Sequence, residues 1–228
     1  MGEDDRRALQ VAEPAVLLEE DASPLLERLS RLRSNLDRER ADAPALAAEL
    51  LALPPEARQE RLRRDARFQT WGLCELLIAR SAEALRQDPA EAGRLAALAL
   101  AGADRLDPAR HAPTVVADLK ARAWAAAGGA CLSQGDLAGA EEALRSAASG
   151  LAQGTGDLLV EAHLLEFEAA VRRAQGRGSE AAALLKMAAA RYHEVGDGQL
   201  QERALAEREA ILQQGGSAPS RPAPGSIS

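Results

Sequence analysis

The histidines and the paired acidic residues are the side chains of this sequence that could bind a metal or carry out acid–base catalysis. His111, His163 and His193 stand far apart, and none has a cysteine or carboxylate at metal-ligand spacing. Glu141 and Glu142 are adjacent on a predicted helix, where residues one apart do not face each other. We therefore expect the histidines on solvated helix faces. The sequence predicts a protein that is not an enzyme, with no catalytic, metal or cofactor site.

Two other segments could bind phosphate groups. Residues 154–157, with the sequence Gly-Thr-Gly-Asp, lack the preceding strand that a phosphate-binding loop needs, so they are interpreted as a break between helices. Five arginines lie between Arg58 and Arg67, but Glu56, Glu60 and Asp65 are interleaved with them. The favoured interpretation is a salt-bridged solvent face. The alternative is a patch that binds an acidic partner segment or a phosphate backbone.

The composition favours helices. Hydrophobic residues make up 46% of the 228 residues but aromatic residues only 2%, so alanine and leucine must form the core. Both have high helix propensity, and few alternating β-branched or aromatic runs are present from which strands could form. The class predicted is all-α. Cys74 and Cys131 fall in these helical patterns and are interpreted as small buried hydrophobic residues.

Charge and targeting signals restrict the partners and the compartment. The net charge is −7, and neither half of the chain has the basic excess that nucleic-acid binding needs. The acidic start is unlike a secretory signal, and the longest apolar run, residues 95–103, is about half the length of a bilayer span. We expect a cytoplasmic protein with no membrane or nucleic-acid partner. The excess of arginine over lysine, 26 to 2, is typical of a GC-rich bacterial genome.

The N-terminal third is predicted to be a flexible arm, residues 1–22, followed by a small helical cap, residues 23–67. Ser23 as N-cap and Pro24 at the first position predict the start of the first cap helix. A second cap helix is expected to begin at Asp42–Pro44, and a third runs toward Arg67. The first helix carries a leucine stripe at i, i+4, i+7 and i+11, namely Leu25, Leu29, Leu32 and Leu36.

Residues 68–214 are predicted to form longer helices in antiparallel pairs, because the turns between them are short. The tail, residues 215–228, is rich in glycine, serine and proline and is expected to be disordered. The predicted helices are 68–86, 90–106, 113–133, 137–152, 158–175, 179–195 and 200–214.

A repeat pattern runs from Ala121 to Ala147 and recurs weakly 41 residues later. Gly128 and Ala140 are small, so two helices can approach closely where they cross, while larger residues fill the wider ends of the interface. The residues of the pattern are Trp124, Gly128, Cys131, Ala140, Leu144 and Ala147, and then Leu165, Ala169, Ala181, Leu185 and Ala188.

These spacings resemble a degenerate tetratricopeptide repeat, although alanine and cysteine replace a leucine and an aromatic residue of the family pattern. The resemblance implies stacked antiparallel helical hairpins, an α-solenoid, behind the N-terminal cap. It also implies a protein–protein interaction scaffold or adaptor that binds a partner polypeptide on the concave face. Residue by residue, the positions implied for that face are Arg122, Leu132, Ser133, His163, Glu166 and Arg173, together with Ala125, Gly129 and Ala170.

Two other functions remain open at this stage. Some tetratricopeptide proteins are regulators that sense a peptide or control transcription, although residues 23–67 show no recognition-helix pattern. A self-assembling homodimer, formed through an exposed terminal helix, is the other alternative.

Overall fold

A computed structural model describes residues 16–216, and all regular structure in this range is helical. The all-α class is thus confirmed for the described residues. Residues 1–15 of the predicted arm and 217–228 of the predicted tail lie outside the described part of the chain, while the other residues of both segments are helical. The α-helices of this range are α1 Val16–Leu51, α2 Pro55–Arg64, α3 Trp71–Ala84, α4 Pro89–Ala103, α5 Pro113–Ser133, α6 Leu137–Ala152, α7 Leu158–Ala174, α8 Gly178–Glu194 and α9 Gly198–Gly216.

Helix α1 corrects the prediction for the N-terminal third. The predicted starts at Ser23–Pro24 and at Asp42–Pro44 are both wrong, because one helix of 36 residues runs from Val16 to Leu51. Residues 16–22 of the predicted arm are part of this helix. Contacts divide the chain into two compact units, with the division between Arg38 and Glu39. Residues 39–67 of the predicted cap therefore belong to the same unit as the helices that follow.

Packing explains why α1 continues through Pro44. Proline in a helix interior removes one hydrogen bond and costs about 3 kcal/mol. Ala43, Ala47 and Leu50, at i, i+4 and i+7, are buried at 2% exposure or less, whereas Pro44 is exposed. The backbone of α1 also lies directly against Gly72 of α3. We infer that burial of this stripe, at about 0.8 kcal/mol per CH₂ group, offsets the cost of the proline.

The helices of the second unit pack in sequential pairs. Helix α3 packs on α4, α5 on α6 and α7 on α8, and these pairs are joined by contacts of α4 with α5 and of α8 with α9. The first helices of successive pairs also touch, since α5 contacts both α3 and α7. Helix α5 ends at Ser133 and α7 at Ala174, while α6 begins at Leu137 and α8 at Gly178. Both intervals are 41 residues, as the repeat pattern predicted.

The turns inside these two pairs follow the same local pattern. Gly135 and Gly176 adopt φ values of 77° and 76°, a conformation in which a side chain would be strained. In the first turn, Asp136 then caps α6 by accepting a hydrogen bond from the Gly139 amide at 2.9 Å. The helix bounds predicted from these signals, 113–133 and 137–152, agree with the structure.

The predicted repeat residues contribute to three apolar clusters. One, the α6–α7 core, joins Ala140, Ala143 and Ala147 to Leu164, Phe167 and Val171. Gly128, Ala140, Ala147, Ala169, Ala181, Leu185 and Ala188 are buried, whereas Trp124, Cys131, Leu144 and Leu165 are half-buried and all four pack against these clusters.

Candidate partner-binding face

Gly128 brings α5, α6 and α7 together at one point. A Cβ atom built on Gly128 would lie 2.1 Å from Cζ of Phe167 and 2.9 Å from Cβ of Ala143. The close approach predicted at Gly128 therefore exists, but α7 of the following pair takes part in it as well as α6. Because α5 and α7, the first helices of their pairs, meet at Gly128, the exposed sides of these two helices are adjacent.

A cavity of about 550 Å³ opens between these exposed sides of α5 and α7. Its volume lies in the range of small-ligand or side-chain pockets. Its lining includes the apolar side chains of Leu132 and Phe167, and Ser133 and Arg173 provide polar atoms. Five of the nine positions predicted for the face thus line one cavity, since Gly129 and Ala170 also contribute to it. The other lining residues are Leu85 and Ala174.

The remaining predicted residues, Arg122, Ala125, His163 and Glu166, do not line this cavity. His163, Glu166, Ala170 and Arg173 follow one another at helical spacing, so they share one side of α7, with His163 and Glu166 nearer its start. Arg122 lies on α5. The face made by these sides of α5 and α7 is called the α5–α7 face below.

Arg122 is paired across helices rather than fully available to a partner. Its Nη1 atom lies 3.6 Å from Oε1 of Glu75 in α3, and Nε of Arg40 donates to the same carboxylate at 2.7 Å. Burial alone would raise the pKa of Glu75, but the hydrogen bond from Arg40 and the charge of both arginines hold it below its usual value. Glu75 is therefore ionised at neutral pH.

Glu166 is the most strongly held of the predicted residues. It accepts a hydrogen bond from the Tyr192 hydroxyl at 2.7 Å and pairs with Nη2 of Arg203 at 3.0 Å. Tyr192 is fully buried, and its burial together with the Glu166 carboxylate raises the pKa of its hydroxyl. This carboxylate thus joins α7 to both α8 and α9.

His163 lies beside this group, with its ring edge-on to Tyr192 at a centroid distance of 5.8 Å. Burial lowers the pKa of His163, and the charges of Arg122 and Arg203 lower it further against the opposing effect of Glu166. The imidazole is therefore neutral at pH 7.

Arg173 differs from these residues because it is more open to solvent. Its side chain is 53% exposed, and its Nη1 atom is 3.0 Å from Oε1 of Glu207, which is itself 41% exposed. An exposed pair of this kind contributes about 0–1 kcal/mol, so a ligand carboxylate can replace Glu207 at low cost.

The residues that sequence reasoning missed on this face are Leu85, Phe167, Arg203 and Glu207. Phe167 could have been found, because it is one of two phenylalanines in the chain and falls on the inner side of α7. Leu85 directly follows α3 and the other two lie on α9, and the positions of these elements relative to α5 and α7 are not visible in the sequence.

His111 was expected on a solvated helix face, and that expectation is wrong. It lies in the connection from α4 to α5, is 6% exposed, and has Nε2 3.3 Å from Oε1 of Glu39. Its ring stacks on Trp71 with centroids 6.2 Å apart. The partner that holds His111 inside, Glu39, is 72 positions away, so local sequence gave no signal.

In the arginine-rich segment, Arg61, Arg64 and Arg67 form exposed ion pairs, as predicted for a salt-bridged solvent face, whereas the Arg58 side chain is only 12% exposed. Arg58 pairs with Glu91 at 3.0 Å and donates to two backbone carbonyls at the end of α1. Arg67 pairs with Glu49 and Asp65, both at 3.0 Å. The segment 154–157 is the turn from α6 to α7, and Asp118 accepts hydrogen bonds from both the amide and the hydroxyl of its Thr155.

Among the side chains that the structure describes, no group of histidine, cysteine, aspartate or glutamate could hold a metal ion. The helices within residues 16–216 are too short or too polar to cross a membrane. In comparisons with known proteins, no family model, no curated protein and no solved structure matches the chain.

Proposed function

We propose that the chain is a non-catalytic scaffold of tetratricopeptide type that binds a segment of a partner protein on the α5–α7 face. The observation that carries the proposal is the cavity between Leu132, Ser133, Phe167 and Arg173. It is large enough for one or two side chains of a bound segment.

Three features of the helical unit support this proposal. Two helical pairs recur at 41 residues, and their first helices contact each other, which is the arrangement of a stacked repeat. Small residues, Gly129 and Ala170, leave the space that a partner side chain would fill. Arg173 stands at the cavity edge in a weak, exposed pair.

The arrangement favours a partner segment with an apolar anchor followed by an acidic group. The anchor would enter the cavity against Leu132 and Phe167, where burial of a leucine-sized side chain contributes about 1.5–3 kcal/mol. A carboxylate would take the place of Glu207 beside Arg173. Arg122 would contact the partner further along the face.

The test is site-specific photo-crosslinking in native cells. A photoreactive residue at Ser133 should capture a defined partner, and the same residue at Met187, which is exposed on α8, is the control position. Binding of the purified partner should weaken at least tenfold with Arg173→Glu. Arg145→Glu, which breaks an exposed pair on α6, should leave it unchanged.

Arg122→Glu should give a smaller loss, because Arg122 lies outside the cavity. The proposal is wrong if the Ser133 and Met187 probes capture the same proteins. It is also wrong if neither Arg173→Glu nor Arg122→Glu alters binding of any captured partner.

A further inference from the structure

The first compact unit carries an exposed leucine stripe that the proposed function does not use. In this part of α1, Leu26, Leu29 and Leu32 are 62%, 52% and 37% exposed. Three large apolar side chains in succession on one solvent-exposed helix indicate a surface that is covered in use.

Leu29 and Leu32 belong to a run of residues with the spacing of a coiled-coil seam, and Leu26 lies at its flank. In the sequence, Leu18, Ala22, Leu25, Leu29, Leu32 and Leu36 follow at alternating intervals of four and three residues, which are the a and d positions of three heptads. Pro24 falls outside these positions and is exposed. Residues 16–38 form one continuous helix about 35 Å long at 1.5 Å per residue.

The charges on either side of the middle of this helix are opposite. Residues 16–26 contain Glu19, Glu20 and Asp21 and no basic residue, a net charge of −3. Residues 28–38 contain four arginines and one aspartate, a net charge of 4 − 1 = +3. A helix with these two halves is complementary to an antiparallel copy of itself.

We propose that residues 16–38 pair with the same residues of a second copy as an antiparallel coiled coil centred on Glu27. In this register, position n lies opposite position 54 − n, so that 25 meets 29 and 22 meets 32. In the same register position 26 lies opposite position 28, so Leu26 flanks the seam and the two Leu26 residues are about 3 Å apart along the axis. The acidic half of each helix lies along the basic half of the other.

A parallel pair is disfavoured by the same charges. It would place residues 28–38 of both chains side by side, with positions 28 and 33, both arginine, at facing flanks of the seam. The leucine spacing alone would allow either direction. The charge distribution is what selects the antiparallel one.

The mass of the full-length chain in solution tests the pairing. Light scattering after size exclusion should give twice the 24.0 kDa mass of the chain at micromolar concentration, with a dissociation constant that rises with salt. Leu29→Glu and Leu32→Glu should each raise the dissociation constant at least tenfold. Leu205→Glu on α9, where the leucine is 39% exposed against 37% for Leu32, is the matched control and should leave it unchanged.

Disulfide trapping tests the direction. In a chain with Cys74→Ala and Cys131→Ala, Leu32→Cys alone should not crosslink under oxidised glutathione, because the two positions 32 lie about 15 Å apart along the axis. A mixture of Ala22→Cys and Leu32→Cys chains should crosslink. Circular dichroism should show unchanged helix content for each variant.

A monomer at 100 micromolar, or a dimer unaffected by Leu29→Glu, would overturn the inference. Self-crosslinking of Leu32→Cys would overturn the antiparallel direction, and capture of a different protein's helix by this stripe would overturn the second copy as its occupant. None of these results depends on the α5–α7 face. Arg173→Glu should leave the dimer mass unchanged, so the two proposals fail separately.

Discussion

Two adjacent glycines of α5 provide a matched test of how the helical pairs pack. Gly128 and Gly129 are neighbours in the same helix, but only the first is enclosed. A Cβ on Gly128 would lie 2.1 Å from Cζ of Phe167, whereas a Cβ on Gly129 would meet its nearest neighbour, Cδ2 of Leu85, at an ordinary 3.7 Å. We predict that alanine destabilises the protein at position 128 and stabilises it at position 129.

The magnitude follows from two opposing effects. Replacing glycine by alanine in a helix interior gains about 1 kcal/mol, and this gain is common to both positions. Overpacking adds a cost of about 1–3 kcal/mol at position 128 only, because Phe167 is 8% exposed and its ring has little room to move. The two variants should therefore differ by about 1–3 kcal/mol, or by about 2–12 °C in melting temperature for a chain of this length.

Thermal and urea unfolding followed by circular dichroism measure the difference. Adding Phe167→Leu to Gly128→Ala removes the ring from the clash, so the two changes together should cost less than the sum of their separate costs. Equal stability of the two alanine variants would refute the packing argument. So would strict additivity of the double variant.

The ionisable side chains and the cysteines give three further predictions. Because burial lowers the pKa of His163 below 6.5, the unfolded chain binds more protons near that pH, and the free energy of unfolding should fall as the pH is lowered through 6.5. His163→Gln should reduce this slope in urea titrations, and a slope equal to that of the unsubstituted protein would contradict the prediction. Burial raises the pKa of Cys74 to about 12, so a thiol reagent at pH 8 should label Cys131 in the native protein and Cys74 only after unfolding. Equal labelling rates for the two cysteines in the native protein would contradict the burial of Cys74. Tyr192→Phe removes a hydrogen bond to a carboxylate and should cost about 1–3 kcal/mol in urea unfolding, and a loss within error of zero would show that the bond is absent in solution.

The parts of the fold that sequence predicted best are those fixed by local chemistry. Pro113, Gly135 and Asp136 are strong start, stop and capping signals, and the bounds of α5 agree with them. Pro44 is an equally strong local signal, yet it misled, because the buried stripe of Ala43 and Ala47 outweighs it. Local patterns predict a helix end only where no distant surface competes.

The candidate face was predicted only in part for a related reason. Helical spacing identifies which residues of one helix share a side, so Leu132, Ser133 and Arg173 were found. It gives no information about the neighbouring helix that covers or pairs with them. Glu166 was predicted as a contact for a partner, but Tyr192 and Arg203, from two later helices, already bind its carboxylate.

The α6–α7 core has a consequence for how the protein unfolds. Its members come from the second helix of one pair and the first helix of the next, so neither pair has a complete interior of its own. A fragment ending at Ala152 would expose the sides of Ala140, Ala143 and Ala147 that α7 covers, and we expect it not to fold alone. The two pairs should melt as one cooperative block, which couples any strain introduced at one turn to the stability of the whole stretch from α5 to α8.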